Sequence, residues 1–168
     1  MTTLYLVRHG ETFDNARQVL QGQVQGELNE TGIKQAEKVR DEMKSVHLDA
    51  IVASDLWRSI QTARIIAEPH RLEVLTTPLL RERDWGDFTG KFIPDIRDKE
   101  WPANVESLPH LKERASQFLQ FIRQQYPEQQ VLAVGHGIVN KAVQAVLSNK
   151  QMNEVEKMTN AEVRILGI

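Results

Sequence analysis

The stretch Leu4-Tyr5-Leu6-Val7-Arg8-His9-Gly10-Glu11-Thr12 sets a short apolar run directly against an arginine, a histidine and a glycine. Four consecutive apolar residues bounded by such a break read as a strand buried on both faces. Two further runs repeat the pattern. Ala50-Ile51-Val52-Ala53 leads into Ser54-Asp55-Leu56-Trp57-Arg58, and Val131-Leu132-Ala133-Val134 leads into Gly135-His136-Gly137. Residues 71–77 and 162–166 are weaker candidates that read as edge strands.

Between the strands lie helical patterns. Ile33, Ala36, Val39 and Met43 recur at helical spacing behind Asn29 or Thr31 as the cap. Ile60, Ala63 and Ala67 do the same. Leu111, Ala115, Phe118, Leu119 and Ile122 form a stripe that stops before Pro127, and Ile138, Ala142, Val143, Val146 and Leu147 form another. Strands alternating with helices imply an α/β fold, a three-layer sandwich with a mostly parallel central sheet and helices on both faces. No repeat or low-complexity linker divides the chain, so residues 1–168 are expected to form a single domain.

In parallel sheets, ligands bind beyond the carboxyl ends of the strands. Arg8, His9, Arg58 and His136 all fall there. Two forked guanidinium groups suit the oxygens of a phosphoryl group. A neutral imidazole can attack phosphorus and carry it covalently. Glycine after each histidine lets backbone approach a ligand, and the helix after Gly137 would aim its amides back at an anion.

Composition narrows the classes. The 168 residues are 40% hydrophobic and 26% charged, with a formal net charge of −2. That balance disfavours a nucleic-acid surface. No apolar run approaches the roughly 20 residues of a membrane helix. Cysteine is absent, which removes disulfides, thiolate metal sites and a cysteine nucleophile. The N-terminus has no basic or long apolar leader, and the expected compartment is the cytoplasm.

The motifs together resemble the histidine phosphatase superfamily, in the branch of cofactor-dependent phosphoglycerate mutases and related phosphatases. Residues 4–12 resemble its signature. Residues 22–36, 54–63 and 80–90, then Glu106-Ser107 and residues 134–137, are similar to its later blocks, in the family's order. The resemblance implies a phosphoglycerate mutase-like fold and a metal-independent phosphomonoester hydrolase without a cofactor. Its partner would be a small phosphorylated metabolite, neither nucleic acid nor membrane. His9 would become phosphohistidine, with a backbone carbonyl fixing its tautomer. Arg8, Arg58 and His136 would hold the phosphoryl oxygens, His136 as a cation once phosphate is bound. Asn15, Gln21, Gly22 and Gly137 would complete the phosphate pocket. Glu82 would protonate the leaving alkoxide and then activate water. The acid role asks that burial hold a proton on Glu82 near neutral pH.

Other residues receive milder readings. Glu11 and Thr12 hold the signature loop, with Thr12 also a candidate donor to phosphate. His47, His70 and His110 read as surface or capping residues. Trp85 and Phe88 read as packing, and Trp101 as either mouth or local core. Lys91 and Arg97 read as a solvated charged segment, and Arg81, Arg83 and Asp84 as surface pairs.

The chain also departs from the family's pattern. Gln23, Gln25 and Glu27 stand where relatives often carry Trp, Asp and Pro. Residues 91–105 form a short lid segment that implies an open pocket. Gly135 replaces the commoner Ser or Ala and is expected to be harmless. Mutases of this family carry a longer C-terminal tail that shields the phosphoenzyme, whereas this sequence stops at Ile168, so hydrolysis is favoured. The alternatives are a phosphoglycerate mutase, a protein phosphohistidine phosphatase and a non-catalytic phosphate-binding module.

Overall fold

A computed structural model describes residues 1–168. Five strands form one sheet: β1 (Thr3–Arg8), β2 (Ala50–Ser54), β3 (Val74–Thr77), β4 (Gln130–Gly135) and β5 (Val163–Gly167). Their spatial order is β3-β2-β4-β1-β5. All neighbours run parallel except β5, which closes the edge antiparallel to β1. The three apolar runs are thus the three central strands, and the two weaker candidates are the edges.

The helices are α1 (Phe13–Ala16), α2 (Glu30–Met43), α3 (Trp57–Ala67), α4 (Ile93–Ile96), α5 (Leu108–Gln125) and α6 (Gly137–Ser148). Asn29 rather than Thr31 caps α2; its side chain accepts from the Gly32 amide at 2.8 Å. That bond satisfies one of the free amides at the helix start.

Alternation along each strand sorts side chains to opposite faces. Leu4, Leu6, Val52 and Ala133 point into one core with Phe118, Leu119 and Ile122 of α5 and Ala142 and Val143 of α6. Val7, Ile51, Ala53, Leu132 and Val134 point into the other, against Val39 of α2 and Ala63 and Ile66 of α3. A sheet buried on both faces explains why the central strands read as continuous apolar runs. No helix is long and apolar enough to cross a membrane.

Register fixes the site. Arg8 on β1 pairs with Gly135 on β4, and Ala53 on β2 pairs with Val134 on β4. The next residues of all three strands therefore emerge side by side at one end of the sheet.

Candidate active site

His9 leaves β1 and His136 leaves β4, and their ring centroids lie 5.1 Å apart at 63°. Both are buried, at 3% and 0% exposure. His9 Nδ1 lies 2.7 Å from the Gly10 carbonyl. That acceptor requires a proton on Nδ1, which leaves the Nε2 lone pair free. His136 Nε2 lies 2.6 Å from the Ser54 hydroxyl and 3.1 Å from that of Ser59. Its Nδ1 has no partner.

Burial, and then the Arg58 charge, drive the His9 pKa well below the usual imidazole range. The same two causes in the same order act on His136, with His9 and Arg8 adding to them. Both rings are therefore neutral at pH 7. Arg58, 1% exposed, is itself pulled down by burial to about 10 and keeps its charge.

The two arginines are held from behind. Arg58 Nη1 donates to the Val24 carbonyl at 2.7 Å and Nη2 to the Gly22 carbonyl at 2.6 Å. Gly22 supplies its carbonyl from a left-handed conformation, φ 54°, which glycine adopts without steric cost. Arg8 Nη1 donates to the Met158 carbonyl at 2.7 Å. Asn160 Nδ2 donates to the His9 carbonyl at 3.1 Å and the Ala161 amide to that of Arg8 at 2.9 Å. The segment 157–162 thus braces the signature loop from the far end of the chain.

Arg8, His9, Arg58 and His136 line a hollow of about 110 Å³, and Asn15, Gln21, Gly22, Glu82, Trp85 and Lys157 are among its other walls. Six buried side-chain polar atoms in the chain lack a protein partner. Four belong to these walls: Arg8 Nε, Arg58 Nε, Gln21 Nε2 and His136 Nδ1. Native proteins rarely bury donors unpaired, and these four cluster where an oxyanion would supply acceptors.

Glu82 sits differently from the expectation. It is half-buried rather than enclosed. Its Oε1 accepts from the Arg83 amide at 2.8 Å and the Val139 amide at 3.0 Å, and its Oε2 from the Ile138 amide at 3.0 Å. The N-terminus of α6 thus receives its own protein carboxylate, so two of the amides expected to face a bound anion are engaged by Glu82. Gly137 serves by its bareness: a Cβ there would stand 2.7 Å from Lys157 Cε and 3.3 Å from Arg8 Cζ.

Gln21 accepts from Thr12 Oγ1 at 3.1 Å and from Asn15 Nδ2 at 3.4 Å. Thr12 caps α1 with the same hydroxyl, so it holds the loop and does not line the hollow. Glu11 does likewise, accepting from Asn29. Gly135 also has a local structural setting. A Cβ would come within 2.1 Å of Asn140 Oδ1, and Asn140 ties α6 to the Val7 carbonyl.

Sequence patterns did not mark Lys157, Ser54, Ser59, Asn160 or Arg114. Arg114 donates to the carbonyls of Leu79, Arg81 and Glu82 and forms a two-pronged pair with Glu106. It anchors the segment that carries Glu82. Arg83 is buried against both Trp85 and Trp101, with its guanidinium carbon 4.9 and 5.0 Å from their ring centroids. It is a structural cation rather than a surface pair. Arg81 does pair at the surface, with Asp55. His47 pairs with Asp49 and His110 with Glu106, both outside the hollow.

The family model for the histidine phosphatase superfamily, branch 1, matches residues 4–168. The chain belongs to this family. A Bacillus subtilis protein described as an uncharacterized phosphatase, PhoE, is 38% identical over 152 residues, covering 88% of this chain and 77% of the relative. A metal-independent phosphoserine phosphatase of Arabidopsis thaliana is 32% identical over 185 aligned positions, covering 100% of this chain and 77% of its own. Among solved structures, a mycobacterial glucosyl-3-phosphoglycerate phosphatase complexed with VO3 superposes with a TM-score of 0.91. It is 28% identical and covers 98% of this chain and 92% of that one. The present chain is thus an enzyme of the histidine phosphatase class, with the phosphoglycerate mutase-like α/β fold.

Proposed function

We propose that this histidine phosphatase hydrolyses the phosphomonoester of a small metabolite through a phosphohistidine at His9, without a metal ion. One observation carries the reading: two neutral, buried imidazoles 5.1 Å apart share a phosphoryl-sized hollow with three cations, Arg8, Arg58 and Lys157.

His9 Nε2 forms the bond to phosphorus as the bond to the ester oxygen breaks. Arg8, Arg58, Asn15 and Gln21 take the equatorial oxygens, and a protonated His136 Nδ1 joins them once the phosphate charge is present. The developing charge is spread over these donors, which supply most of the rate acceleration. Glu82 passes a proton to the leaving oxygen. A substrate monoanion supplies that proton through the Glu82 carboxyl. Water then attacks the phosphohistidine as the bond from His9 Nε2 to phosphorus breaks, Glu82 takes a proton from the water and returns it to the departing inorganic phosphate, and His9 is neutral again. Relatives described as phosphatases support hydrolysis over transfer.

Residues 1–168 act in this reading as one catalytic domain in the cytoplasm. The site draws on residues from Arg8 to Lys157, and a chain without cysteine suits a reducing compartment.

The test is release of inorganic phosphate from 4-nitrophenyl phosphate by wild type and His9→Ala, with chelator present. Turnover in wild type, its loss in the variant, and acid-labile, base-stable phosphate on His9 are expected. Phosphate trapped on a carboxylate, or full activity in His9→Ala, would overturn the assignment.

A further inference from the structure

Beside the phosphoryl hollow lies a second, outer chamber of about 300 Å³. The two share Leu20, Trp85, Ile93, Ile138 and Lys157 as common walls, so they form one continuous cleft. Phe88, Ile96, Arg97 and Trp101 line the outer chamber alone, and Lys157 and Arg97 are its only charged lining groups.

The chamber is built in advance. The Arg83 guanidinium packs against both indoles, and its Nε donates to the Glu106 carbonyl at 2.8 Å. Trp85 and Trp101 also meet edge to face at 5.4 Å, and Phe88 supports Trp101 from 6.4 Å. The lid segment is tied to the loop before Gln21 by three backbone bonds. Gly90 donates to Leu20 at 2.7 Å, Leu20 to Lys91 at 2.9 Å, and Ile93 to Gln18 at 2.8 Å. Such a wall presents apolar surface to whatever is bonded to the phosphate.

Resting on the phosphatase reading, we infer that the physiological substrate is the phosphate ester of an alcohol with a flat, apolar body about one ring in size. On the side where the outer chamber adjoins the phosphoryl hollow, the shared wall is Leu20, Trp85, Ile93 and Ile138 with Lys157, so a leaving group reaching that way meets indole and aliphatic carbon. The hydroxyls of a sugar or the ammonium of an amino acid would be desolvated there against carbon, with no acceptor to replace water. A ring would bury its area against Trp85, Ile96 and Trp101 instead. Trp85 and Trp101 are therefore specificity-determining residues rather than packing alone.

The experiment compares propyl phosphate with 3-phenylpropyl phosphate, whose leaving alcohols have nearly the same acidity, by inorganic phosphate release. The chamber should raise kcat/KM for the phenyl ester at least tenfold, chiefly through KM. Ile96→Asp, a change on the half-exposed face of α4, should cut that ratio below threefold. Equal kcat/KM for the two esters in wild type would overturn the inference and leave the phosphohistidine reading intact. So would an unchanged ratio in Ile96→Asp. If neither ester nor 4-nitrophenyl phosphate releases phosphate, the phosphatase reading itself falls, and the inference with it.

Discussion

Lowering the pH from 7 to 5 should destabilise the folded chain through the two site histidines. In the unfolded chain each imidazole takes a proton near pH 6.5. In the folded chain burial and the Arg58 charge keep both neutral well below that value. The unfolded state then binds protons that the folded state refuses, so stability falls as pH drops through 6.5. Each site contributes a slope of about 1.4 kcal/mol per pH unit. An imidazole that stays neutral at pH 5 therefore costs about 2 kcal/mol there, and the pair about 4 kcal/mol. With a urea slope of about 2 kcal/mol per molar, the wild-type midpoint should fall by about 2 M. Carboxylates whose pKa the fold lowers, such as Asp55 and Glu106, add a loss in the same direction but retain it in any histidine variant. The comparison with His136→Gln isolates the effect, because that variant should lose about 1 M less than wild type over the same interval. Urea titrations at pH 7, 6 and 5, followed by the fluorescence of the three tryptophans, measure both. Midpoints that fall in parallel for wild type and His136→Gln would refute the reasoning.

Three further outcomes follow from named contacts. Glu82→Gln should slow propyl phosphate by about 10²–10⁴-fold and 4-nitrophenyl phosphate by less than tenfold, because an aryl oxygen leaves without help from an acid; steady-state kinetics on both esters reads this. Lys157→Met should raise KM for phosphate esters roughly fivefold and flatten its dependence on ionic strength, since about 1 kcal/mol of Coulomb attraction is lost from the wall of the hollow. Arg114→Leu should cost about 3–5 kcal/mol, because Glu106 stays buried without its partner and three carbonyls lose a donor. Thermal unfolding should move down by about 6–20 °C for a chain of this size.

The central sheet was legible because its strands are buried on both faces and read as unbroken apolar runs. Arg8, His9, Arg58 and His136 were legible because parallel strands deliver whatever follows them to one end of the sheet. Glu82 was placed by resemblance, but its surroundings were not. Its three amide partners lie one residue away and on α6, more than fifty positions on, and no local pattern encodes that encounter. Lys157 and Asn160 were hidden for a similar reason. They sit in an irregular segment with no periodicity, and only the antiparallel docking of β5 beside β1 carries them to His9. Arg83 was read as part of a surface pair because sequence does not show two indoles packing against its guanidinium.

The bracing of the signature loop by residues 157–162 has a consequence for biogenesis. Arg8 and His9 are made before the groups that hold them, since the carbonyl of Met158 and the side-chain amide of Asn160 lie about 150 residues further along the chain. A ribosome-bound chain that has folded its α2 and α3 layer would still lack the clamp on Arg8 and His9. The bracing of Arg8 and His9 is therefore complete only once the segment leading into β5 has docked beside β1, and a chain nicked before residue 157 is expected to lose it.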